Sequence, residues 1–368
     1  MALFLLAVVL PLQGCQEGYP DAIDNAEPTD AIDNTEPTEQ QQLVAALYAG
    51  SDAKISWWPN PREAPVPIQV SAQHANHVLV ALPQTDVSAF SISYASNDLP
   101  QIALWIRRSG NQELLVYNHG HGGFPQPGDE WAIRFLRLAS ESGSDILLTS
   151  MPLTGLNAPT AGIEYHVVTT DSLTPTPVDG EILTTFPEMH TLYEIIDDPV
   201  AYLHYFIDSA VLPVALLTQS SSIQIAVPPP LTATAAPPAP GYLSVSYVGL
   251  SGGATSGLIA CAVLLLRRCV LIAGVMPTDL RAKYLMNFGD AEQISRHFYQ
   301  RFTVRRLLTI AEASTDELVL LYNQKDTCCF SDPSGSEFQQ RYPDYDIRVL
   351  PLDYHGYEPE TVLGILSN

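Results

Sequence analysis

Ser251, Asp326 and His355 are three residues whose types and order along the chain fit one nucleophilic mechanism. A serine hydroxyl attacks a carbonyl carbon only when a base takes its proton. The base, usually histidine, needs a carboxylate that fixes its tautomer and stabilises its cation. Ser251 is enclosed by glycines in the segment 249–253, Gly-Leu-Ser-Gly-Gly, and the acid and the base follow it. The three residues therefore predict acyl transfer through a covalent intermediate on Ser251.

The serine stands between a predicted strand and a predicted helix. The β-rich run 242–248 precedes the glycine segment, and the apolar run 254–266 follows it. Strand, tight turn and helix form the arrangement that exposes a nucleophile above a sheet, and glycines let such a turn pack closely. The start of the helix can also stabilise negative charge.

The acid and the base are expected on loops at the carboxyl ends of parallel strands. The strand predicted at 318–322 runs into Asp326, and the strand ending near 350 runs into His355. Asp332 on the same loop and Asp279 after the preceding strand are the alternative acids. Asp353 is close to His355 in sequence but is expected to cap or turn the loop.

A glycine-histidine loop is the fourth element of the predicted site. Residues 118–123, Asn-His-Gly-His-Gly-Gly, follow a predicted strand at 113–117. Acyl transfer needs donors aimed at the developing oxyanion, and the main-chain N–H of Gly252 is expected to supply one. The main chain of His121 or Gly120 supplies the other. Two histidines so close also suit a metal, but no matching ligand cluster is evident, so no metal is predicted.

Alternating strands and helices predict an α/β class with a largely parallel sheet covered on both faces. Short strands at 67–70, 77–82, 90–94 and 101–106 are expected to form an antiparallel edge. The predicted elements that follow are strands at 113–117, 145–149, 269–275, 318–322 and 346–350, and helices at 131–142, 200–217 (broken at Pro213), 291–302 and 359–366. An insertion over about 152–240, which includes a proline-rich linker at 228–240, is expected to cover the site.

Composition limits the class of protein further. The chain has 368 residues, is 46% hydrophobic and carries a formal net charge of −23. The length suits one large α/β domain with insertions, or two domains. The acidic balance argues against nucleic acid as a partner, because nucleic-acid binding needs a basic face.

The N-terminus predicts export. Residues 2–12 are almost wholly apolar, and Leu-Gln-Gly-Cys15 follows. This resembles a bacterial lipoprotein signal peptide, residues 1–14, with Cys15 as the lipidated residue; the alternative is an ordinary signal peptide with an incidental cysteine. The resemblance implies a membrane anchor in the cell envelope. Gln16 favours the outer membrane and periplasm if the organism is Gram-negative.

Residues 15–45 are predicted to form an acidic disordered tether before a folded domain at 46–368. The tether contains a nine-residue acidic repeat, at 21–29 and 30–38, with few core-forming residues. Four further cysteines, at 261, 269, 328 and 329, can pair in an exported chain. Their connectivity stays open, and Cys328 and Cys329 are expected either to pack or to form a disulfide.

The glycine-histidine loop, the serine turn, Asp326 and His355 together resemble the α/β-hydrolase family over about residues 65–366. The segment 323–330, Asn-Gln-Lys-Asp-Thr-Cys-Cys-Phe, is similar to exported bacterial hydrolases of the dienelactone-hydrolase and acetyl-xylan-esterase groups. The resemblance implies a mostly parallel central sheet flanked by helices, with an insertion before the nucleophile strand. It also implies hydrolysis of a small-molecule or polymer ester without a cofactor. The alternatives are a serine peptidase on the same fold and a non-catalytic binding lipoprotein of the envelope.

Overall fold

The computed structural model describes most of the chain from residue 37 onwards. The described residues are 37–82, 86–95, 101–108, 110–126, 128–158, 166–169, 176–183, 188–191, 203–219, 232–233, 237, 241–284 and 291–368. The predicted signal peptide, Cys15 and most of the tether therefore lie outside the described residues, as do much of the predicted insertion and most of the proline-rich linker.

Strands and helices alternate along the described chain. The strands are β1 Lys54–Trp58, β2 Asp86–Ser93, β3 Gln101–Arg107, β4 Glu113–Asn118, β5 Ser144–Thr149, β6 His166–Thr169, β7 Thr176–Val178, β8 Glu181–Leu183, β9 Glu188–Thr191, β10 Thr232–Ala233, β11 Ser244–Leu250, β12 Leu266–Ile272, β13 Thr315–Asn323 and β14 Asp346–Leu350. The helices are α1 Glu39–Tyr48, α2 Val66–His74, α3 Asn76–Ala81, α4 Glu130–Glu141, α5 Asp208–Thr218, α6 Gly252–Val263, α7 Thr278–Lys283, α8 Ala291–Ile294, α9 Arg296–Arg301, α10 Val304–Ala313, α11 Ser334–Arg341 and α12 Pro359–Ser367.

A ten-stranded sheet organises the fold, in the order β10-β1-β2-β3-β5-β4-β11-β12-β13-β14. From β5 to β14 every neighbouring pair is parallel, whereas β1, β2 and β3 pair antiparallel with one another and β3 with β5. The carboxyl ends of β4, β11, β12, β13 and β14 consequently meet at one edge of the sheet. The predicted fold class, an α/β-hydrolase fold with a mostly parallel sheet flanked by helices, is confirmed.

The helix behind the serine lies deep in the protein. Every residue of α6 is buried, and the helix packs against β11, β12 and α10. A helix that is apolar all round is stable only when other elements surround it. A disulfide between Cys261 and Cys269 joins α6 to the middle of β12. The element that carries the candidate nucleophile is thus held from several sides.

Two predicted strands are wrong. The segment 67–70 lies in helix α2, and residues 77–81 of the second segment lie in helix α3. Pro67 stands in the first turn of α2, a position that tolerates proline because no helical hydrogen bond needs its missing N–H. The run 77–82 is a short apolar segment, and periodicity alone does not separate a strand from a helix at that length.

The predicted helix break at Pro213 is also wrong. Proline removes one helical hydrogen bond and crowds the preceding turn. Here α5 continues through Pro213, and every residue from Asp208 to Thr218 is buried. Packing on all sides stabilises the helix despite the missing bond. Its start at Asp208 follows a 3₁₀ turn, Leu203–Phe206.

The folded chain begins earlier than residue 46. Helix α1 starts at Glu39 and buries Leu43 and Leu47. Thr38 and Gln41 form a capping box, in which each side chain accepts a hydrogen bond from the other residue's main-chain N–H. The last part of the predicted tether, residues 39–45, is therefore helical.

Candidate active site

Ser251 occupies a strained turn between β11 and α6. Its φ is 57° and its ψ is −128°, a backbone conformation that a residue with a Cβ atom rarely adopts. The main-chain N–H of Ser251 donates to the carbonyl of Ile272, 2.8 Å away at the end of β12. Its own carbonyl accepts the N–H of Ala254 at 2.9 Å, which starts the helix. The turn therefore has the form predicted for a nucleophile.

The glycines of the turn are required by close packing. A Cβ atom on Gly249 would lie 2.3 Å from the carbonyl oxygen of Gly253, and one on Gly253 would lie 2.4 Å from that of Asn118. Real Cβ contacts do not come so close. The spacing of glycines that marks this motif in the sequence thus has a steric cause.

Asp326 and His355 come together as predicted. The imidazole Nδ1 of His355 lies 2.8 Å from Asp326 Oδ2, and the Asp326 side chain is fully buried while that of His355 is 20% exposed. The other carboxylate oxygen, Oδ1, accepts the main-chain N–H groups of Cys328 and Cys329 at 2.8 and 3.0 Å. These two cysteines form a disulfide with each other.

Electrostatics keep the Asp326 carboxylate charged. Burial by itself would raise the pKa of Asp326, but the hydrogen bond and charge of His355 and the two N–H donors outweigh burial and lower it. An ionised, oriented carboxylate beside Nδ1 is what a histidine base needs.

The alternative acids have other partners. Asp279 forms an ion pair with Arg341, with 2.6 Å between Oδ2 and Nη1. Asp332 is exposed, and its Oδ1 accepts the N–H of Ser336 in the first turn of α11 at 3.1 Å. Asp353 is exposed beside the base. The geometry favours Asp326.

Asn323 braces the loop that carries His355. Its amide Nδ2 donates to the carbonyl oxygens of Tyr354 and Gly356, each at 2.8 Å, and these carbonyls flank His355. Asn323 is buried at the end of β13, three residues before the acid. Sequence reasoning missed this role, although a polar residue that ends an apolar strand is a signal for it.

The glycine-histidine loop lies against the serine turn. A Cβ atom on Gly120 would lie 2.9 Å from the main-chain nitrogen of Gly252, and one on Gly252 would lie 2.5 Å from Nδ1 of His121. The two main chains are therefore adjacent, as a two-donor oxyanion hole requires. Asn118 at the end of β4 shapes the loop, since its Oδ1 accepts the N–H of Gly120 at 3.0 Å.

The side chains of the two loop histidines face different carboxylates. His119 Nε2 lies 3.4 Å from Asp129, and its ring stacks on Trp131 with 5.7 Å between ring centroids. His121 Nε2 lies 3.5 Å from Glu292. Within the described ranges, no group of three histidine, cysteine, aspartate or glutamate side chains is arranged to hold a metal ion.

Burial keeps both histidines neutral near pH 7. It lowers the pKa of His119 to about 4; the charge of Asp129 opposes this shift, and that of His355 adds to it. Burial, with a contribution from Arg281, lowers the pKa of His121 to about 4. The effect of the His355 charge on the pKa of His119 also indicates that the glycine-histidine loop and the base loop are neighbours.

We expect the free energy of unfolding to fall as the pH drops from about 6.5 to about 4. A histidine whose pKa is about 4 when folded and about 6.5 when unfolded binds a proton more readily in the unfolded chain. The contribution of such a histidine to the free energy of unfolding is complete above pH 6.5 and is lost as the pH approaches 4. For His119 the loss is about 3 kcal/mol. Urea unfolding at pH 7, 5.5 and 4.5 measures this loss.

The variant H119N should reduce the dependence of unfolding free energy on pH in that window. His297 is exposed, so H297N serves as the matched control and should leave the dependence unchanged. If the unfolding free energy of H119N depended on pH as strongly as that of the wild type, His119 would not be the group responsible.

The part of the chain that the structure describes contains no helix with the length and apolar character needed to cross a membrane.

The chain is similar in structure to several solved proteins, but its sequence identity to them is low. No protein-family model and no curated sequence matches the chain. Acetyl xylan esterase 1 from Thermoanaerobacterium sp. JW/SL YS485 is 13% identical with a TM-score of 0.44, over 90% of this chain and 98% of that one. Esterase Pf2001 from Pyrococcus furiosus is 12% identical with a TM-score of 0.44, over 79% and 91%.

S-formylglutathione hydrolase from Staphylococcus aureus is 10% identical with a TM-score of 0.42, over 77% of this chain and 98% of that one. Similarity at this level does not carry an activity or a substrate over to this chain. The strand order and the strained turn at Ser251 are the grounds for its α/β-hydrolase fold.

Proposed function

We propose that this protein is a serine hydrolase that cleaves carboxylic esters with a triad of Ser251, His355 and Asp326. The observation that carries the proposal is the hydrogen bond between His355 and the buried carboxylate of Asp326, on loops at the same sheet edge as Ser251. A histidine oriented in this way serves as the base for a serine hydroxyl. The strained serine turn supports the same role.

The proposed reaction has two stages. His355 takes the proton of Ser251 Oγ as the oxygen attacks the ester carbonyl carbon. The electron pair of the carbonyl moves to its oxygen, where the N–H of Gly252 and a main-chain N–H of the loop around Gly120 and His121 stabilise the charge. As the carbon–oxygen bond breaks, the leaving alcohol receives the proton from His355.

Water then attacks the acyl-enzyme. His355 takes a proton from the water, the carboxylic acid forms, and Ser251 Oγ regains its proton. Asp326 stays ionised throughout and stabilises the imidazolium form of His355. The triad needs no cofactor. A peptide bond is the alternative substrate for the same residues, and the predicted insertion over 152–240 is expected to limit substrate size.

Two measurements test the proposal. A fluorophosphonate probe should label Ser251, identified by peptide mass mapping, and p-nitrophenyl acetate and butyrate should be hydrolysed faster than aminoacyl anilides. Faster cleavage of the anilides would replace esterase with peptidase. Absence of labelling, while a control serine hydrolase is labelled in the same reaction, would favour the non-catalytic binding protein.

We also propose that Cys15 carries a lipid that anchors the enzyme in the cell envelope. The support is the apolar segment 2–12 followed by Leu-Gln-Gly-Cys15 in the sequence. The acidic repeat would then separate the folded domain from the membrane surface.

Replacing Cys15 with serine should release the protein from the membrane. Expressed in a bacterium that lipidates exported proteins and fed radiolabelled palmitate, the wild type should carry the label and sediment with membranes. C15S should lack the label and appear in the soluble fraction, because serine lacks the thiol that accepts the lipid. Replacement of Cys261, a disulfide cysteine, is the control and should leave the label in place. A labelled C15S protein would contradict the anchor.

A further inference from the structure

A buried charged cluster adjoins the candidate oxyanion hole and has no part in the triad. We call it the Arg281 cluster; it consists of His121, Arg281, Glu292 and Gln293. The side chain of Glu292 is fully buried, and Arg281 is 1% exposed. Buried charges are costly unless they are paired, so a cluster of this kind needs a reason to persist.

Arg281 contacts both loops that flank the nucleophile. Its Nη2 donates to the carbonyl of Gly274 at 3.2 Å, and a Cβ atom on Gly274 would lie 2.0 Å from the carbonyl oxygen of Ser251. Its guanidinium lies over the ring of Phe330, 5.0 Å from the centroid, on the loop that carries Asp326. Its Nη1 donates to Gln293 Oε1.

Glu292 connects this cation to the glycine-histidine loop. Burial lowers the pKa of Arg281 to about 10, and the charge of Glu292 is among those that oppose this shift, so Glu292 stabilises the Arg281 cation. On its other side, Glu292 Oε1 lies 3.5 Å from Nε2 of His121. The His121 ring in turn lies against the Cα of Gly252.

We propose that Glu292 is a positioning residue that acts through His121 to hold the main chain of the glycine-histidine loop at Gly252. Its carboxylate accepts the Nε2–H of His121 and so selects the tautomer in which Nδ1, facing Gly252, is unprotonated. The ring cannot then turn away from the serine turn, and the loop's N–H keeps its distance from that of Gly252. Catalytic hydrogen bonds that are long in the free enzyme tighten in the reacting complex, which suits the 3.5 Å separation.

This inference rests on the proposed serine hydrolase, and its test compares two replacements of similar size. E292M removes the acceptor, and E292Q keeps an oxygen that can accept from His121. We expect E292M to lower kcat about 10- to 100-fold and to change KM less than 3-fold. This fall in kcat is at most close to the one caused by removing a whole oxyanion donor. E292Q should keep at least about one third of the wild-type kcat.

A transition-state readout separates positioning from fold support. Ser251 Oγ attacks the carbonyl carbon of a phenyl trifluoromethyl ketone, and the carbonyl oxygen becomes an oxyanion in the oxyanion hole. The affinity for this ketone should therefore fall in E292M by about the same factor as kcat. Rates are referred to active sites counted by fluorophosphonate titration. E337M is the control, because the carboxylate of Glu337 binds Lys283, Tyr284 and Arg341 and not His121.

Three results would overturn the inference. They are an E292M kcat per active site within 2-fold of wild type, an unchanged affinity for the ketone, and an equal loss in E337M. If E292M does not fold, E292D takes its place in the test. This variant keeps a negative charge beside Arg281 but withdraws it from His121, and it must lower kcat while leaving KM nearly unchanged. An active, labelled wild type with an unaffected E292M rejects only this inference, whereas an inert, unlabelled wild type rejects it together with the proposed function.

Discussion

Replacing Ser251 with alanine is expected to lower kcat/KM for p-nitrophenyl esters by at least about 10³-fold and to abolish fluorophosphonate labelling. Alanine removes the attacking oxygen and leaves the rest of the turn in place. It also keeps a Cβ atom at φ 57°, so the backbone strain of the turn is the same in both proteins. The melting temperature should therefore stay close to that of the wild type.

Ser256 provides the matched control for this experiment. It is a buried serine in α6, five residues after Ser251, and S256A should keep both labelling and turnover. Turnover in S251A above about one tenth of the wild-type rate, with correct folding, would reject Ser251 as the nucleophile.

The second large effect is expected from replacing Asp326 with asparagine, which should lower kcat by about 10²- to 10⁴-fold. The asparagine oxygen can still accept the N–H groups of Cys328 and Cys329, which both bind Oδ1. Its NH₂ group would then face His355 Nδ1 in place of the carboxylate oxygen at 2.8 Å. That nitrogen would have to accept a hydrogen bond, so Nε2 would carry the proton and could not act as the base.

The two alternative acids are the controls. Asp279 is paired with Arg341 and Asp332 with the N–H of Ser336, so D279N and D332N should stay within about 3-fold of the wild-type kcat. Steady-state rates with p-nitrophenyl acetate, combined with thermal melts of each variant, measure the comparison. Near-normal turnover in D326N, or a large loss in D332N, would move the role of the acid to another residue.

The sequence predicted the parts of the fold that depend on local pattern. The strands β4, β5, β11 and β13 are mainly buried, largely apolar runs bounded by polar or glycine-containing loops, and their positions follow from that contrast. The segments at 67–70 and 77–82 do not reveal their helices in the sequence, because their runs are too short to show a period. Proline by itself predicts a break at position 213, but packing around α5 outweighs the missing hydrogen bond.

The residues around the candidate site also fall into two groups: those that the sequence pattern predicts and those that only the structure identifies. Ser251, Asp326 and His355 could be found from their types, their order and their places after strands. Asn323, Arg281 and Glu292 could not, because their importance lies in contacts with residues that are distant in the chain. Glu292 meets His121 across 171 positions of sequence, a distance at which no local pattern operates.

By itself the sequence determined the strand, turn and helix at Ser251, the alternation of elements that makes a parallel sheet, and the order of nucleophile, acid and base. These are local properties, set by glycine freedom, by apolar periodicity and by the need of each strand to be buried. Only the tertiary structure decided which aspartate meets His355, which cysteines pair, and which buried charges surround the glycine-histidine loop. The physical reason is that a hydrogen bond between side chains depends on a few tenths of an ångström, and the packing of the whole sheet sets that distance.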